Sequence, residues 1–264
     1  MSYDNFNDNN IYSSEDTLNS QSSTSEGYYG AYGYQNSNTT DLSQTRFEEN
    51  VVAQSFVFMA IALVISAFTA VYVYSSPRLL INILMNDTLF YVLLFGELAI
   101  VFAANFTAKK NMVVPSAVLF TLYSVINGAT LSVIFVVFEL SSIASILFIT
   151  AGMFGGMAIF GLVTKKDLSS IGSIALMALW GIILAGVVNM FFLKSSGMDM
   201  ALSVIGIIIF VALTAYDTQK IKNMARYTTL DNITCIALIG ALELYLDFIN
   251  IFLKLLMLFG KRRD

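Results

Sequence analysis

The chain has 264 residues, of which 57% are hydrophobic and only 12% are charged. A soluble globular chain is closer to about 45–50% apolar and about 25% charged, so this composition indicates an integral membrane protein. The sequence contains no His and a single Cys. It therefore excludes an intrachain disulfide and any metal or proton-relay site that needs imidazole.

Residues 1–50 differ in composition from the rest of the chain. They are rich in Asn, Ser, Asp, Gly and Tyr and carry a net charge of −7, whereas residues 51–264 carry +3. This segment has no helical or strand period and too little aliphatic content to bury a core, so we expect a disordered acidic low-complexity tail. We find no basic face suited to nucleic acid and expect no nucleic-acid partner.

Seven apolar runs follow the tail, and each is long enough for a spanning helix of about 20 residues. The predicted spans are 51–74, 88–107, 112–138, 143–163, 168–193, 200–217 and 233–259. The runs are continuous rather than alternating, which excludes a transmembrane β-barrel. We therefore predict an all-α, multi-pass membrane domain of seven helices over residues 51–264.

The distribution of Lys and Arg among the short loops predicts the orientation. With the N-terminus inside, the inner segments hold eight of these bases and the outer loops hold two, which is the bias expected of cytoplasmic loops. The C-terminal cluster of Lys261, Arg262 and Arg263 breaks this bias, because seven full spans place it outside. Either the bases of the other loops determine the orientation in spite of this cluster, or the last segment does not cross the membrane completely.

Ionisable residues at membrane depth cost about 2.5–3.5 kcal/mol on insertion scales, so they must face protein or water. Glu97 lies near the centre of the second span and Asp217 at the predicted inner end of the sixth. The seventh span contains Glu243, Asp247 and Lys254. These residues are the candidates for function.

The seventh span gathers its polar residues on one face. At about 100° per residue, Asp247, Asn250 and Lys254 all lie within about 40° of Glu243, and the other faces are mostly apolar. A helix of this kind turns its polar stripe inward and is surrounded by apolar neighbours. We therefore predict that it lies at the centre of the bundle.

The third and sixth spans have weaker polar faces. The face of Asp217 in the sixth span also holds Ser203, Gly206, Thr214 and Phe210, a candidate plug. The face of Asn127 in the third span also holds Ser116, Tyr123, Ser124 and Thr130. Together these faces are sufficient to line a path or to form a buried polar network.

Static interpretations of these features are also open. Glu97 could accept hydrogen bonds that only hold neighbouring helices together. The stripe from Glu243 to Lys254 could be an internal ion-pair ladder that fixes packing. Gly152 and Gly156 form a GxxxG motif in the fourth span, for which we expect close helix packing.

Two segments resemble signatures of the Bax inhibitor-1-like family, the transmembrane Bax-inhibitor-motif proteins. They are GALELYLDFINIFL at 240–253 and TAYDTQKI at 214–221, and the resemblance covers about 51–264. It implies two three-helix layers around a central last helix, and a pH-sensitive calcium leak across the membrane. It also implies that Asp217 and Asp247 form a hydrogen-bonded pair that senses pH, and that Glu97 is a functional carboxylate.

The resemblance extends to other positions with less certainty. A basic residue that follows the second span in some members has only Lys109 and Lys110 as counterparts, one or two positions later. Many members have a small polar residue where this chain has Glu243. The additional acid is expected to strengthen cation binding or to shift the titration of the pair.

The residues and the resemblance together predict a site for ion passage. It comprises a pH sensor at Asp217 and Asp247, a cation path at Glu97, Glu243, Asn250 and Asn127, candidate counter-charges at Lys254, Lys109 and Lys110, and transient calcium binding at Asp217, Asp247 and Glu243. Two neighbouring carboxylates share a proton and titrate as a unit, and oxygen ligands suit a hard cation such as Ca²⁺. We expect protons and calcium as ions, the bilayer as environment, no resident cofactor and no enzymatic activity.

Two other functions remain open at this stage. An intramembrane aspartyl protease also has a Tyr-Asp pair and a later Asp, but the residues before Asp247 are not Gly-x-Gly, and no Pro occurs after Pro115 to form a Pro-Ala-Leu element. A regulatory membrane protein that binds a membrane protease or a stress complex is the second alternative, and the 1–50 tail would suit it.

Overall fold

The computed structural model describes residues 48–226 and 233–263, so residues 1–47 of the predicted disordered tail lie outside the described part. The helices in that part are α1 (Glu48–Tyr74), α2 (Pro77–Met85), α3 (Asp87–Lys109), α4 (Val113–Leu131), α5 (Ile134–Val137), α6 (Leu140–Val163), α7 (Ser169–Val188), α8 (Ser196–Arg226) and α9 (Ile233–Phe259). A π-helical segment, Asn189–Leu193, continues α7.

Seven of the described helices are long and apolar enough to cross a membrane: α1, α3, α4, α6, α7, α8 and α9. They correspond one to one with the seven predicted spans. The predicted all-α polytopic membrane fold is therefore confirmed. The short helix α2 was not expected, and Pro77 begins it at a position where the missing backbone N–H of proline costs nothing.

The helix of the sixth span continues beyond the predicted span end at 217, because α8 runs to Arg226. The segment after Asp217 is polar, but it contains neither Gly nor Pro and has good helix formers such as Gln, Lys, Met and Ala. Hydropathy therefore falls while the helix persists. Asp217 consequently lies inside a continuous helix and not at its end.

The helix α9 lies at the centre of the bundle, as predicted. In its apolar stretch 67% of the residues are buried, whereas the share is 11% in α3 and in α7. It packs against α3, α4, α6 and α8, and Tyr245 reaches Ser66 of α1. Helix α3 packs against α4, and Gly128 of α4 lies against Ser66 of α1, so α1, α3 and α4 form one group. Helices α6 and α7 both pack against α8 and form the second group. These two groups of three helices enclose α9.

Two kinds of glycine occur in these helices. A side chain at Gly161 would collide with the backbone of Ala215, so this glycine permits close contact between α6 and α8. A side chain at Gly152 or Gly156 would meet nothing within 4 Å. The prediction that this GxxxG motif packs closely is therefore wrong for the described helices, because the motif faces outward.

Contacts at the helix ends define the two ends of the bundle. At one end, Arg226 Nε of α8 lies 2.9 Å from Glu48 Oε1 of α1. At the other, Arg263 Nη1 after α9 donates to the hydroxyl of Tyr74, the last residue of α1, at 2.8 Å. We refer to these as the Glu48 end and the Arg263 end. The last helix therefore runs from the Glu48 end of the bundle to the Arg263 end.

The connection between α6 and α7 is held firmly at the Glu48 end. Gln219 of α8 donates to the Lys166 carbonyl and accepts from the Leu168 amide, both at 2.9 Å. Hydrogen bonds from the Ser169 hydroxyl and backbone amide lower the pKa of Asp167 below its ordinary value. This short loop thus has a defined structure next to the end of α8.

Candidate functional site

The polar stripe of α9 faces inward. Asp247 has only 4% of its surface exposed, and Glu243, Asn250 and Lys254 are half-buried. Their spacing of three and four residues places them on one side of the helix. The buried stripe predicted from the sequence is therefore present, and it faces α8 at several points.

The opposing face of α8 is also buried. Asp217 is 9% exposed, and Ser203, Phe210 and Thr214 on the same face are less exposed still. Thr214 lies beside the Asp247 carboxylate across the interface. The predicted polar face of α8 is thus packed against the polar stripe of α9.

Three acids and one base meet where these faces touch. Asp217 and Asp247 are close enough to repel each other, both are repelled by Glu243, and both are attracted by Lys220. We refer to these four residues as the acid cluster. Ionised carboxylates only accept hydrogen bonds, so a direct bond between the two aspartates requires a proton on one of them.

The base of the acid cluster comes from α8. Lys220 Nζ lies 2.6 Å from Glu243 Oε1, so Glu243 pairs across the interface and not with Lys254 along α9. The static alternative of an ion-pair ladder along the α9 stripe therefore does not include Glu243. Sequence reasoning did not assign Lys220 to the site, although it follows Asp217 by three residues and hence lies on the same helix face.

The acid cluster has unsatisfied oxygen atoms. Glu243 Oε2 and Asp247 Oδ2 are buried and find no hydrogen-bond partner among the described residues. Buried polar atoms without partners are uncommon and costly. Three carboxylates with one ammonium therefore leave this interface with an excess of acceptor atoms, which is suited to a proton or a cation.

The acid cluster adjoins a groove at the Glu48 end. Lys220 lines this groove together with Tyr216, Gln219 and Asn223, and its volume is about 430 Å³. Lys220 therefore both lines the groove and pairs with an acid of the cluster. A movement of this one side chain would change the access of water and ions to the cluster.

Glu97 belongs to a second polar region. Its carboxylate accepts hydrogen bonds from the Thr130 hydroxyl at 2.7 Å and from the Asn127 amide at 3.3 Å. The Asn127 carbonyl accepts a hydrogen bond from the Tyr245 hydroxyl at 2.9 Å. The oxygen of this hydroxyl lies 2.6 Å from Ser66 Oγ. We refer to these five residues as the Glu97 network, and it joins α1, α3, α4 and α9.

The two polar regions lie on different sides of α9. Tyr245 follows Glu243 by two residues, which is about 200° around the helix. Asn127 therefore partners Glu97 and Tyr245 and does not join the acid cluster. Tyr245 is fully buried and was missed as a site residue, because a Tyr within an apolar run is indistinguishable from a core aromatic in the sequence.

The remaining predicted counter-charges lie elsewhere. Lys109 and Lys110 are exposed at the end of α3, and Lys110 Nζ lies 4.4 Å above the Phe106 ring. Lys254 lies against Gly206 of α8. Among the described contacts none of these lysines reaches the acid cluster, where Lys220 provides the positive charge.

The predicted calcium ligands do not form a preassembled chelate. Within 48–226 and 233–263, no group of three or more Asp, Glu, Cys or His side chains is arranged to hold a metal ion. Asp217, Asp247 and Glu243 lie near one another, but Glu243 is engaged by Lys220. Calcium binding there stays a prediction, and it is a prediction of transient contact.

Comparison with known proteins identifies the family. The model of the family described as "Inhibitor of apoptosis-promoting Bax1" matches residues 48–264. The chain belongs to this Bax inhibitor family. The match covers the whole described bundle, including both helices of the acid cluster, and it confirms the resemblance found in the sequence.

Relatives in this family come from diverse bacteria. The chain is 44% identical to "Inner membrane protein YbhL" of Escherichia coli strain K12 over 218 residues, which covers 81% of this chain and 93% of that protein. It is 39% identical to an uncharacterized protein of Borreliella burgdorferi, over 85% of this chain and 99% of that one. An uncharacterized protein of Rickettsia prowazekii, RP147, is 36% identical over 86% of this chain.

These observations agree on the setting of the protein. The described chain has seven helices able to span a bilayer, and a relative of almost the same length is an inner membrane protein. This Bax inhibitor family member is therefore a multi-pass integral membrane protein.

Proposed function

We propose that this protein is a pH-sensitive cation leak, with calcium as a permeant ion and the acid cluster as its gate. The observation that carries this proposal is the burial of Asp217, Asp247 and Glu243 at one helix interface with a single base, Lys220. The unpartnered buried oxygens of Glu243 and Asp247 support the same interpretation.

The proposed gate works through the number of protons held by the acid cluster. Carboxylates in a low-dielectric site do not ionise independently, and they titrate as a coupled group. Loss of a proton adds a negative charge at the α8–α9 interface, which either separates the helices or attracts a cation. Gain of a proton removes the charge that attracts cations. Either change alters the passage of ions between α8 and α9.

The chemistry of the side chains favours a hard cation. Carboxylate, hydroxyl and amide oxygens are the preferred ligands of Ca²⁺, and the interface provides them from Asp247, Thr214 and Asn250. Half-buried Glu97 is proposed as a further negative charge on the path, which attracts cations without being part of the gate.

The experiment is calcium flux into liposomes that contain only this protein, measured across a pH series. Asp217→Asn and Asp247→Asn each remove one ionisable group from the acid cluster, and each should change the pH dependence of the flux. Asp167→Asn is the matched control, because Asp167 is exposed in the α6–α7 connection, and this variant should keep the wild-type profile.

Two results would contradict the proposal. If both cluster variants keep the wild-type dependence of flux on pH, the acid cluster is not the gate. If the purified protein conducts no cations, it is not a cation leak, and the regulatory, partner-binding alternative is favoured.

We also propose that the Glu48 end faces the cytoplasm, because it holds most of the loop lysines and arginines. The only native cysteine, Cys235, is buried, so single cysteines introduced at Lys166 and at Arg78 can report on the two ends. A membrane-impermeant thiol reagent added to intact cells should label Arg78→Cys and spare Lys166→Cys. The opposite labelling pattern would reverse the orientation.

A further inference from the structure

The seam between α8 and α9 has opposite charges at its two ends. The acid cluster lies toward the Glu48 end. Lys254 follows Asp247 by seven residues on α9, which is about 10 Å further toward the Arg263 end at 1.5 Å per residue. A cation that moves along this seam would therefore meet a positive charge before or after it meets the acids.

The side chain of Lys254 lies in the seam itself. A Cβ atom placed on Gly206 of α8 would be 3.4 Å from Lys254 Cε and 3.5 Å from Cδ and Cγ. The aliphatic stem of Lys254 therefore occupies the space that a side chain at position 206 would otherwise fill. Gly206 lies on the buried face of α8, so Lys254 packs between the two helices and does not point toward lipid.

The charge of Lys254 is held in place but not neutralised by contact. Asp199 in the first turn of α8 attracts the ammonium, and Asn189 Nδ2 donates to Asp199 Oδ1 at 2.6 Å, which fixes the carboxylate. Among the ion pairs of the described residues, none includes Lys254. Asp199 thus offsets part of the field of the ammonium, but no ion pair forms, and the rest of the field acts in a half-buried environment where screening by water is reduced.

We propose that Lys254 is an electrostatic barrier that slows cations at the Arg263 end of the α8–α9 seam and selects against divalent ions. This inference rests on the proposed cation leak and names the residue that sets its rate and charge preference. The Coulomb energy of an ion near a fixed charge is proportional to the charge of the ion. Lys254 thus raises the barrier for Ca²⁺ twice as much as the barrier for Na⁺.

The test is the replacement Lys254→Met, which keeps the length of the stem and removes the charge. Flux of Ca²⁺ and of Na⁺ is measured separately into liposomes at one fixed pH. We expect the Ca²⁺ flux to rise about tenfold and the Na⁺ flux about threefold, because the logarithm of the increase doubles with the ionic charge. Lys254→Arg keeps the charge and should conserve the wild-type ratio of the two fluxes.

A second control removes a lysine away from the seam. Lys165→Met changes an exposed residue of the α6–α7 connection and should leave the Ca²⁺ to Na⁺ ratio unchanged. An unchanged Ca²⁺ to Na⁺ ratio in Lys254→Met, whether or not the two fluxes increase, would contradict the proposed barrier. An increase in chloride flux would show that the substitution loosens the packing, and it would also contradict the barrier.

The result also separates this inference from the proposed function. If the wild type conducts with a pH profile that depends on Asp217 and Asp247, but Lys254→Met does not change the Ca²⁺ to Na⁺ ratio, only the barrier is wrong. If neither the wild type nor Lys254→Met conducts any cation, the leak and the barrier are both wrong.

Discussion

The acid cluster and the Glu97 network are two buried polar regions on the same central helix, and they differ in how their hydrogen bonds are satisfied. Both carboxylate oxygens of Glu97 accept a hydrogen bond, and the chain continues through Asn127 to Tyr245. In the acid cluster, one oxygen of Glu243 and one of Asp247 have no partner among the described residues.

This difference indicates different roles for chemically similar residues. A satisfied polar network fixes the relative positions of the helices that it joins. A group of acids with too few partners is costly to bury in its ionised form, so its protonation and its helix packing depend on each other. The acid cluster should therefore respond to pH more strongly than the Glu97 network.

The largest expected effect comes from Lys220→Met, which removes the one base of the acid cluster. The Lys220–Glu243 pair is only partly buried, so its loss costs less than the about 3–5 kcal/mol of a fully buried pair and more than the about 1 kcal/mol of an exposed one. We expect a loss of about 2–3 kcal/mol at alkaline pH, where the acids are ionised. The loss should shrink as pH falls, because protonated acids no longer repel each other. Unfolding in detergent micelles at several pH values measures it.

The matched control for this variant is the double substitution Lys220→Met with Glu243→Leu. It removes the acid that Lys220 pairs with, so most of the lost stability should return. A deficit in Lys220→Met that is the same at every pH would show that the cluster does not respond to protonation, and the contrast with the Glu97 network would disappear.

The next largest effect is expected for Tyr245→Phe. Loss of the hydroxyl leaves Asn127 and Ser66 with a buried partner missing, and such a loss costs about 1–3 kcal/mol. The loss should depend on pH less than that of Lys220→Met, because Tyr245 bonds two uncharged side chains and no acid cluster residue. Unfolding under the same detergent and pH conditions provides the measurement.

Tyr123→Phe is the control for this experiment. The Tyr123 ring centroid lies 5.5 Å from that of Tyr245, but its hydroxyl makes no hydrogen bond among the described residues, so the substitution should cost less. If both variants lose equal stability, the hydroxyl bonds of Tyr245 do not hold the network together.

A smaller effect is expected for Glu97→Gln. The glutamine retains an oxygen for Thr130 but brings an amide group toward Asn127, so we expect a loss of about 1 kcal/mol or less. In the liposome assay it should lower Ca²⁺ flux at every pH without moving the pH profile. A shifted profile would place Glu97 in the gate and contradict the separation of the two regions.

The smallest effect is expected for Asp167→Asn, outside both regions. The pKa of Asp167 is lowered in the folded protein, so its charge contributes stability above its ordinary pKa, and this contribution is lost as pH falls through the lowered value. The variant should be slightly less stable than the wild type at neutral pH and equal to it in strong acid. Thermal unfolding at the two pH values tests the sign, and a difference that grows in acid would contradict it.

The sequence was sufficient for the features that depend on one helix at a time. The 100° rotation per residue placed Glu243, Asp247 and Lys254 on one face, and the apolar remainder of α9 indicated its central position. Both predictions agree with the burial of α9. Seven apolar runs were enough to count the spans, because the length of a spanning helix is set by the bilayer.

Features that depend on the register and rotation of two helices could not be predicted. The pairing of Glu243 with Lys220 requires knowledge of how α8 and α9 are aligned. The outward direction of Gly152 and Gly156 depends on which side of α6 is packed. Hydropathy likewise could not show that α8 continues to Arg226, since helix propensity and membrane affinity differ in its polar last turns.

The position of α9 has a consequence for biosynthesis. The core helix follows the six other described spans along the chain, so those six spans are made first, and Asp217, Ser66 and Asn127 lack the neighbour they require until α9 is inserted. Assembly of the bundle is therefore completed only when this seventh span has been made. A chain interrupted before Ile233 would keep these polar faces unshielded, and it should be removed by membrane proteolysis.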